Sequence, residues 1–330
     1  MQYFTFQNIT LTIVFICSFV LTYLVRKLAL KKSIMDIPNE RSSHSVPTPR
    51  GGGLAIMIAW YAGLITFYLL GKIDLNLFLA LMSGVFLSAI SIVDDVRNVS
   101  PKVRLFFQSL SAGLALWFVG GIGTVDFGLM QIDSVWILSP IAFVAILWAI
   151  NLFNFLDGID GHISMAAMFF AVATYMFFQS PVLLLLAVAV FGFLPWNWQR
   201  AKIFMGDVGS TLIGFNIAVL AIYFNKVSAL NLEIILILTS VYWCDATFTL
   251  IRRFIRKEKL SEAHKKHAYQ RLTQAGYSHQ KVVLLVLAFN LILFAIAWFI
   301  PSYGKFYGFA LSFFLNIIFN VFVDSKKAFV

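Results

Sequence analysis

The sequence predicts an all-α protein that passes many times through a membrane, and three observations carry that prediction. Hydrophobic residues fill 60% of the 330 positions and charged residues only 12%, with a mean hydropathy of +0.86. A water-soluble domain has no use for that much apolar surface. The apolar residues are gathered into runs of about 17–22, the length that spans a bilayer as a helix. The 25 lysines and arginines are then shared very unequally between alternate loops.

About eleven runs read as helices, near residues 4–25, 53–70, 77–93, 105–121, 135–151, 163–178, 182–196, 210–224, 231–251, 282–300 and 307–323. The sixth, seventh and eighth are short, and their ends are the least sharply defined. Hydrophobic periodicity does not help, because a helix buried in lipid and protein is apolar all round. With the N-terminus placed outside, the inner loops hold Arg26, Lys27, Lys31, Lys32, Arg41, Arg50, Arg97, Lys102, Arg104, Arg200, Lys202, the basic residues from Arg252 to Lys281, and Lys326 and Lys327. Of the 25 cations, only Lys72, Lys226 and Lys305 then remain outside. The positive-inside rule favours this orientation, and an odd number of crossings puts the C-terminus inside. Residues 1–330 read as one integral-membrane domain, with inner loops at about 26–52, 94–104, 152–162, 197–209 and 252–281. The first run has no basic start and no small-residue cleavage site, so it is expected to stay as a helix. Cys17 and Cys244 both fall within runs, which leaves no disulfide or zinc pattern to read. The net charge of +10 follows from the loop bias and from anionic phosphate groups; no nucleic-acid partner is expected.

Five polar clusters interrupt the apolar chain, and all fall on inner loops or inner helix ends. Carboxylates kept at such places are costly and usually mark function. Arg50 precedes Gly51, Gly52 and Gly53, three glycines that weaken a helix start unless backbone approaches closely there; Asp36, Pro38, Arg41 and His44 stand upstream. Asp94 and Asp95 end the third run. They can hold magnesium or raise one another's proton affinity, or simply stand as solvated charges ahead of a helix that starts at Ser100-Pro101. Arg97, Lys102 and Arg104 follow and suit a phosphate.

Asn151, Asn154 and Asp157 recur at i, i+3, i+6, so they can face one cavity. Gly158 and Gly161 break the helix around Asp160 and let backbone approach a ligand. Asp207, in Gly206-Asp207-Val208-Gly209-Ser210, opens a helix whose N-terminus suits phosphate, though Asp and Ser also serve there as ordinary caps. Asn197 and Phe204, just before it, could offer an amide and a ring to a base. In the most basic loop, His264, His267 and Arg271 are placed to reach a pyrophosphate. His279 reads as solvated. Asp245, inside the ninth run, reads as a structural partner of Arg252 or Arg253.

Taken in order, these motifs resemble the polyprenyl-phosphate N-acetylhexosamine-1-phosphate transferase superfamily, which includes phospho-N-acetylmuramoyl-pentapeptide transferase and the O-antigen-initiating enzymes. The resemblance runs from Asp36 to Arg271. It implies transfer of a sugar 1-phosphate from a UDP-N-acetyl sugar to undecaprenyl phosphate, with release of UMP. The setting it implies is the cytoplasmic face of a bacterial inner membrane, which makes the N-terminus periplasmic and the C-terminus cytoplasmic. It also implies magnesium as cofactor, with manganese as the alternative. By position, Asp94 and Asp95 match the aspartate pair, with Asp94 the candidate base, and Asp207 matches a magnesium ligand, with Asp94 or Asp95 completing the set. Asn154, Asp157 and Asp160 match the nucleotide site, Asn197 and Phe204 the uracil contacts, and His267 the first histidine of the basic loop. The catalytic candidates are thus Asp94, Asp95, Asp157 and His267. The substrate-binding candidates are Arg50, Asn151, Asn154, Asp160, Asn197, Phe204, His264 and Arg271.

Tyr269 and Gln270 stand where other branches carry histidines. His267-Ala268-Tyr269-Gln270-Arg271 is similar to the branch that uses 6-deoxy sugars such as N-acetylfucosamine or N-acetylquinovosamine, in lipopolysaccharide O-antigen synthesis. A homodimer is one assembly this reading admits. The rival class is an ion-coupled transporter, which also needs many helices and an intramembrane carboxylate such as Asp245. Transporters place such charges near the midplane, often on repeats; here the carboxylates gather at one boundary and no repeat is visible.

Overall fold

A computed structural model describes residues 2–38, 43–97, 99–126, 131–228, 232–260, 262, 264–301 and 304–329. Arg41 and Asn231 lie outside the described residues. The chain is helical throughout its apolar runs: α1 (Gln2–Lys32), α2 (Gly53–Leu69), α3 (Leu75–Met82), α4 (Gly84–Val96), α5 (Pro101–Val119), α6 (Val135–Phe155), α7 (His162–Phe178), α8 (Pro181–Asn197), α9 (Asp207–Val227), α10 (Leu232–Leu238), α11 (Ser240–Ile255), α12 (Ala268–Gln274), α13 (His279–Phe299) and α14 (Lys305–Lys326). Two small antiparallel pairs accompany them, β1 (Met35–Asp36) with β2 (Thr48–Pro49) and β3 (Val125–Asp126) with β4 (Gln131–Ile132).

Two of the runs are interrupted. The third divides at Ser83, whose hydroxyl donates to Ala80 O at 2.6 Å and Ser111 O at 3.1 Å. The ninth bends by 72° between α10 and α11. By length and composition six helices can cross a membrane, or seven if the bent pair counts as one span; α2, α7 and α8 are apolar but shorter. The protein is a polytopic, all-α membrane protein.

α9 is the hub. Its apolar window is 89% buried, against 22–44% for the other long spans. α2, α4 and α6 pack around it, while α1 and α7 pack on α8. This central place requires close backbone contact, and the glycines supply it. A Cβ on Gly53 would lie 2.2 Å from the backbone N of Gly209, and one on Gly214 would lie 2.4 Å from Ala149 O. The three-glycine start of α2 is therefore a backbone-on-backbone joint with the first turn of α9.

The two ends of the bundle differ in chemistry. At one, Asn225 donates to Ile122 O and Thr124 O, Lys226 to Val119 O and Gly120 O, and Tyr223 to Asp74. These bonds close the loops at that end. At the other end, the C-termini of α4 and α6 meet the N-termini of α2, α7, α9 and α13, with β1–β2 and α12 laid over them. That end carries the polar clusters.

Candidate active site

The β1–β2 pair aims Arg50 inward. The segment after it is zipped onto the segment before α9: Phe204 N donates to Pro49 O at 2.8 Å, Gly52 N to Phe204 O at 2.9 Å, and Gly53 N to Met205 O at 2.8 Å. Arg50 is thereby held between two carboxylates, with Nε 2.9 Å from Asp95 Oδ1 and Nη2 2.5 Å from Asp207 Oδ1. Burial costs the guanidinium some of its proton affinity, but Asp95, Asp207, Asp36 and Asp157 together raise its pKa, so it is a fixed cation.

Asp95 is a cap as much as an acid. Its two oxygens accept the N–H groups of Asp207 at 2.9 Å and Val208 at 3.4 Å, at the exposed amide end of α9. Gly206, at φ +77°, gives it room; a Cβ there would stand 2.7 Å from Asp95 Oδ2. Asp94 turns the other way, accepting Val99 N at 2.8 Å and pairing with Arg104 Nη1 at 2.9 Å. The same Arg104 nitrogen lies 3.8 Å from Asp207 Oδ2. Asp207 thus stands between two arginines on opposite sides.

Two cavities meet at this point. The first, of ≈ 220 Å³, is lined by Arg50, Asn154, Asp157, Asp160, Phe204 and Asp207, together with Asp36, Ser43, His44, Asn197, Gln270 and His279. The second, of ≈ 200 Å³, has Asp94, Arg104, Gln108 and Asn151 at its polar end and Leu87, Ile90, Leu105 and Phe155 along its wall. Asn154 and Asp207 line both.

Within the first cavity Asp157 has no side-chain hydrogen-bond partner among the described residues. It is half-buried by surface area, yet ringed by protein. Burial pushes its carboxyl up to about 7; Arg50 opposes the shift, while Asp207, Asp95 and Asp160 add to it. Asp160 is tied down instead, accepting Ala201 N at 3.1 Å and lying 3.3 Å from His279 Nδ1.

Asn197 lines the cavity, but its amide is used within the chain. Oδ1 accepts Gly161 N at 3.0 Å and Ser164 Oγ at 3.2 Å, and Nδ2 donates to Ile203 O at 3.2 Å. It holds two loops at the cavity wall. Phe204 offers a half-buried ring, met edge-on by His44 at 4.8 Å. Asn151 bonds Gln108 at 3.0 Å and Leu147 O at 2.8 Å, and Asn154 donates to Ser210 Oγ at 3.2 Å.

The basic loop behaves differently from the sequence expectation. Among the described residues of segment 264–272, only Gln270 lines the first cavity. The His264 ring lies tilted against His267 at 4.9 Å, and its pKa is held down to about 4, chiefly by burial and then by His267. His267 is buried beside Asp245, at 3.6 Å. Arg271 is turned onto Asp324 and Lys327 O. These three side chains face the protein interior and the α14 end rather than either cavity.

Two other expectations change. His279 is not a solvated side chain: it bridges Asp160 and Ser43 O, the latter at 3.2 Å. Asp245 pairs with neither arginine named for it, since Arg252 binds Asp324 through two 2.9 Å contacts and Arg253 binds Glu258 at 3.0 Å. His162, the first residue of α7, stacks on Tyr269 at 4.9 Å. Asp36, Ser43 and His44 also line the first cavity. The rule that flagged the other clusters, a polar group at an inner helix end, applies equally to His279, which follows the Ser278 cap of α13.

Fold and site together define a helical membrane protein with an acidic, arginine-buttressed centre at one end of its bundle. The profile of glycosyl transferase family 4 matches residues 76–225. A decaprenyl-phosphate N-acetylglucosaminephosphotransferase of Mycolicibacterium smegmatis is 30% identical over 307 residues, covering 79% of this chain and 74% of its own. A probable undecaprenyl-phosphate N-acetylglucosaminyl 1-phosphate transferase of Bacillus subtilis is 29% identical, covering 81% and 77%. An undecaprenyl-phosphate alpha-N-acetylglucosaminyl 1-phosphate transferase of Escherichia coli K12 is 27% identical, covering 92% and 88%. The chain belongs to the polyprenyl-phosphate N-acetylhexosamine-1-phosphate transferase family. It is an enzyme of the membrane, and the transporter reading is not favoured.

Proposed function

We propose that the protein transfers an N-acetylhexosamine 1-phosphate from a UDP-sugar to undecaprenyl phosphate, releasing UMP. The observation that carries this reading is the pair of cavities sharing Asp207 and Asn154 as a common wall, with Arg50 on one side and Arg104 on the other. A nucleotide diphosphate suits the first cavity, whose wall offers the Phe204 ring and the Arg50 cation. A lipid phosphate suits the second, which has an arginine at its polar end and apolar side chains along its wall.

An oxygen of the acceptor phosphate attacks the sugar-bearing phosphorus. A new P–O bond forms, the pyrophosphate bond breaks, and UMP leaves with the bridging oxygen. Phosphoryl transfer depends mainly on positioning and charge neutralisation, which the two arginines supply. The acceptor phosphate, with a second pKa of about 6, is already mostly dianionic near neutrality, so Asp94 serves as an auxiliary base. Asp157, whose pKa lies near 7, can take or return a proton inside the donor cavity.

Magnesium, or manganese in its place, fits these donors. Among the described residues no three acidic, histidine or cysteine groups gather into a ready cage. Magnesium takes one or two carboxylates and completes its shell with substrate oxygens and water. Asp207, with Asp95 beside it, would hold the ion, which would neutralise pyrophosphate charge.

We propose further that the helices make eleven crossings, with the N-terminus periplasmic and this site on the cytoplasmic side of the bacterial inner membrane. The donor sugar we favour is a 6-deoxy N-acetylhexosamine for O-antigen synthesis, on the Tyr269-Gln270 pattern; the relatives are named for N-acetylglucosamine. Purified protein incubated with undecaprenyl phosphate, magnesium and a panel of UDP-sugars should release UMP with one sugar preferred. No UMP from any of them would refute the reading. Asp207→Asn should abolish that release while the protein still inserts and folds.

A further inference from the structure

Asp245 is a carboxylate within an apolar span, 7% exposed, and the proposed chemistry makes no use of it. A charge in such a place persists where it is paired or where it has a task. Its Oδ1 accepts the N–H of Ala268, the first residue of α12, at 2.7 Å, and the Thr249 hydroxyl at 3.3 Å. Asp245 therefore ties α11 to the first turn of α12, whose start also carries the Gln270 side chain on the His267 N–H at 3.2 Å.

The next residue of α12 is Tyr269, 2% exposed. Its hydroxyl donates to Phe155 O at 3.1 Å, at the last residue of α6 and two positions before Asp157. The same hydroxyl lies 2.3 Å from where a Cβ on Gly158 would stand, so the loop after α6 rests directly on the phenol. The Tyr269 ring is stacked on His162 at 4.9 Å and on His267 at 5.9 Å. Burial, with Asp245 and Asp157 nearby, raises the phenol pKa well above its ordinary value, so the hydroxyl remains a donor at working pH. At the far side of α12, Arg271 anchors the helix to Asp324.

We infer that Asp245 and Tyr269 are positioning residues: Asp245 ties the first turn of α12 to α11, and Tyr269, carried by that helix, holds the 156–160 loop so that Asp157 and Asp160 face the donor cavity. The kinetic half of this statement rests on the transferase reading; the structural half does not.

The test uses the full chain in nanodiscs, with Tyr269→Phe, Asp245→Ala and Asp245→Asn. Hydrogen–deuterium exchange is followed at the 156–161 amides, with the first turn of α9 as an internal reference. Tyr269→Phe keeps the ring and removes one hydrogen bond, so it should speed loop exchange about fivefold and lower kcat/KM for UMP release by a similar factor. The α9 reference amides should not change. Asp245→Ala should show both effects more strongly. Asp245→Asn retains an oxygen for the Ala268 N–H and should restore turnover to within about twofold of the parent, a rescue that a mere packing role does not require.

Unchanged loop exchange in Tyr269→Phe would overturn the inference, and so would faster exchange with unaltered turnover. If the parent itself released no UMP, the transferase reading would fail, and the exchange data alone would still decide whether the clamp exists.

Discussion

Replacing Asp95 with alanine separates a cap from a simple acid. The carboxylate makes one 2.9 Å bond to Asp207 N, a marginal 3.4 Å contact to Val208 N, and a 2.9 Å pair with Arg50. A hydrogen bond to a charged group contributes about 1.5–3 kcal/mol. The Arg50 pair counts for less than a fully buried one, because that side chain is 33% exposed and keeps its bond to Asp207. The expected loss is therefore about 2–4 kcal/mol, most of it from amides left unpaired at the start of α9. Because α9 is the hub of the bundle, the loss should appear as a fall of several degrees in the thermal midpoint in detergent, together with reduced turnover. Asp95→Asn keeps one acceptor oxygen and should lose only about 1 kcal/mol of stability, so it should melt close to the parent. An Asp95→Ala protein that melts with the parent and loses turnover alone would refute the capping role and return Asp95 to purely chemical duty.

Further outcomes follow from the same geometry. Asp157 holds its proton to about 7 in the folded protein, above its unfolded value near 4. Its contribution to stability is thus fully present below about 4 and is lost as pH rises through about 7. Asp157→Asn should flatten the pH dependence of the thermal midpoint across that window, and curves parallel to the parent's would contradict the assignment. Gly53→Ala would drive a methyl against the backbone at Gly209, only 2.2 Å away. Neither backbone can yield cheaply, so a loss of about 1–3 kcal/mol or more is expected in thermal unfolding. Arg271→Ala should lower the thermal midpoint in detergent, because the side chain ties α12 to Asp324 and Lys327 rather than to a cavity group.

The class of the protein was legible without coordinates, for a simple reason. Long apolar runs have one stable form in lipid, where every backbone amide must be satisfied within its own helix. The polar clusters likewise announce themselves, since carboxylates such as Asp94, Asp157 and Asp207 are costly at a membrane boundary and rarely accidental. The sequence therefore determined helices, membrane and a one-sided acidic site. It could not assign partners, because those are made between residues far apart in the chain. Asp95 caps a helix that begins 112 positions later, His279 reaches back to Asp160 across 119, and Arg271 swings away to Asp324. Local spacing carries no information about such pairings, and helices apolar all round give no face from which to infer them. Only packing around α9 decided which polar side chains are spent within the fold: Asn197 borders the first cavity but ties its loops together, and His267 is buried beside Asp245.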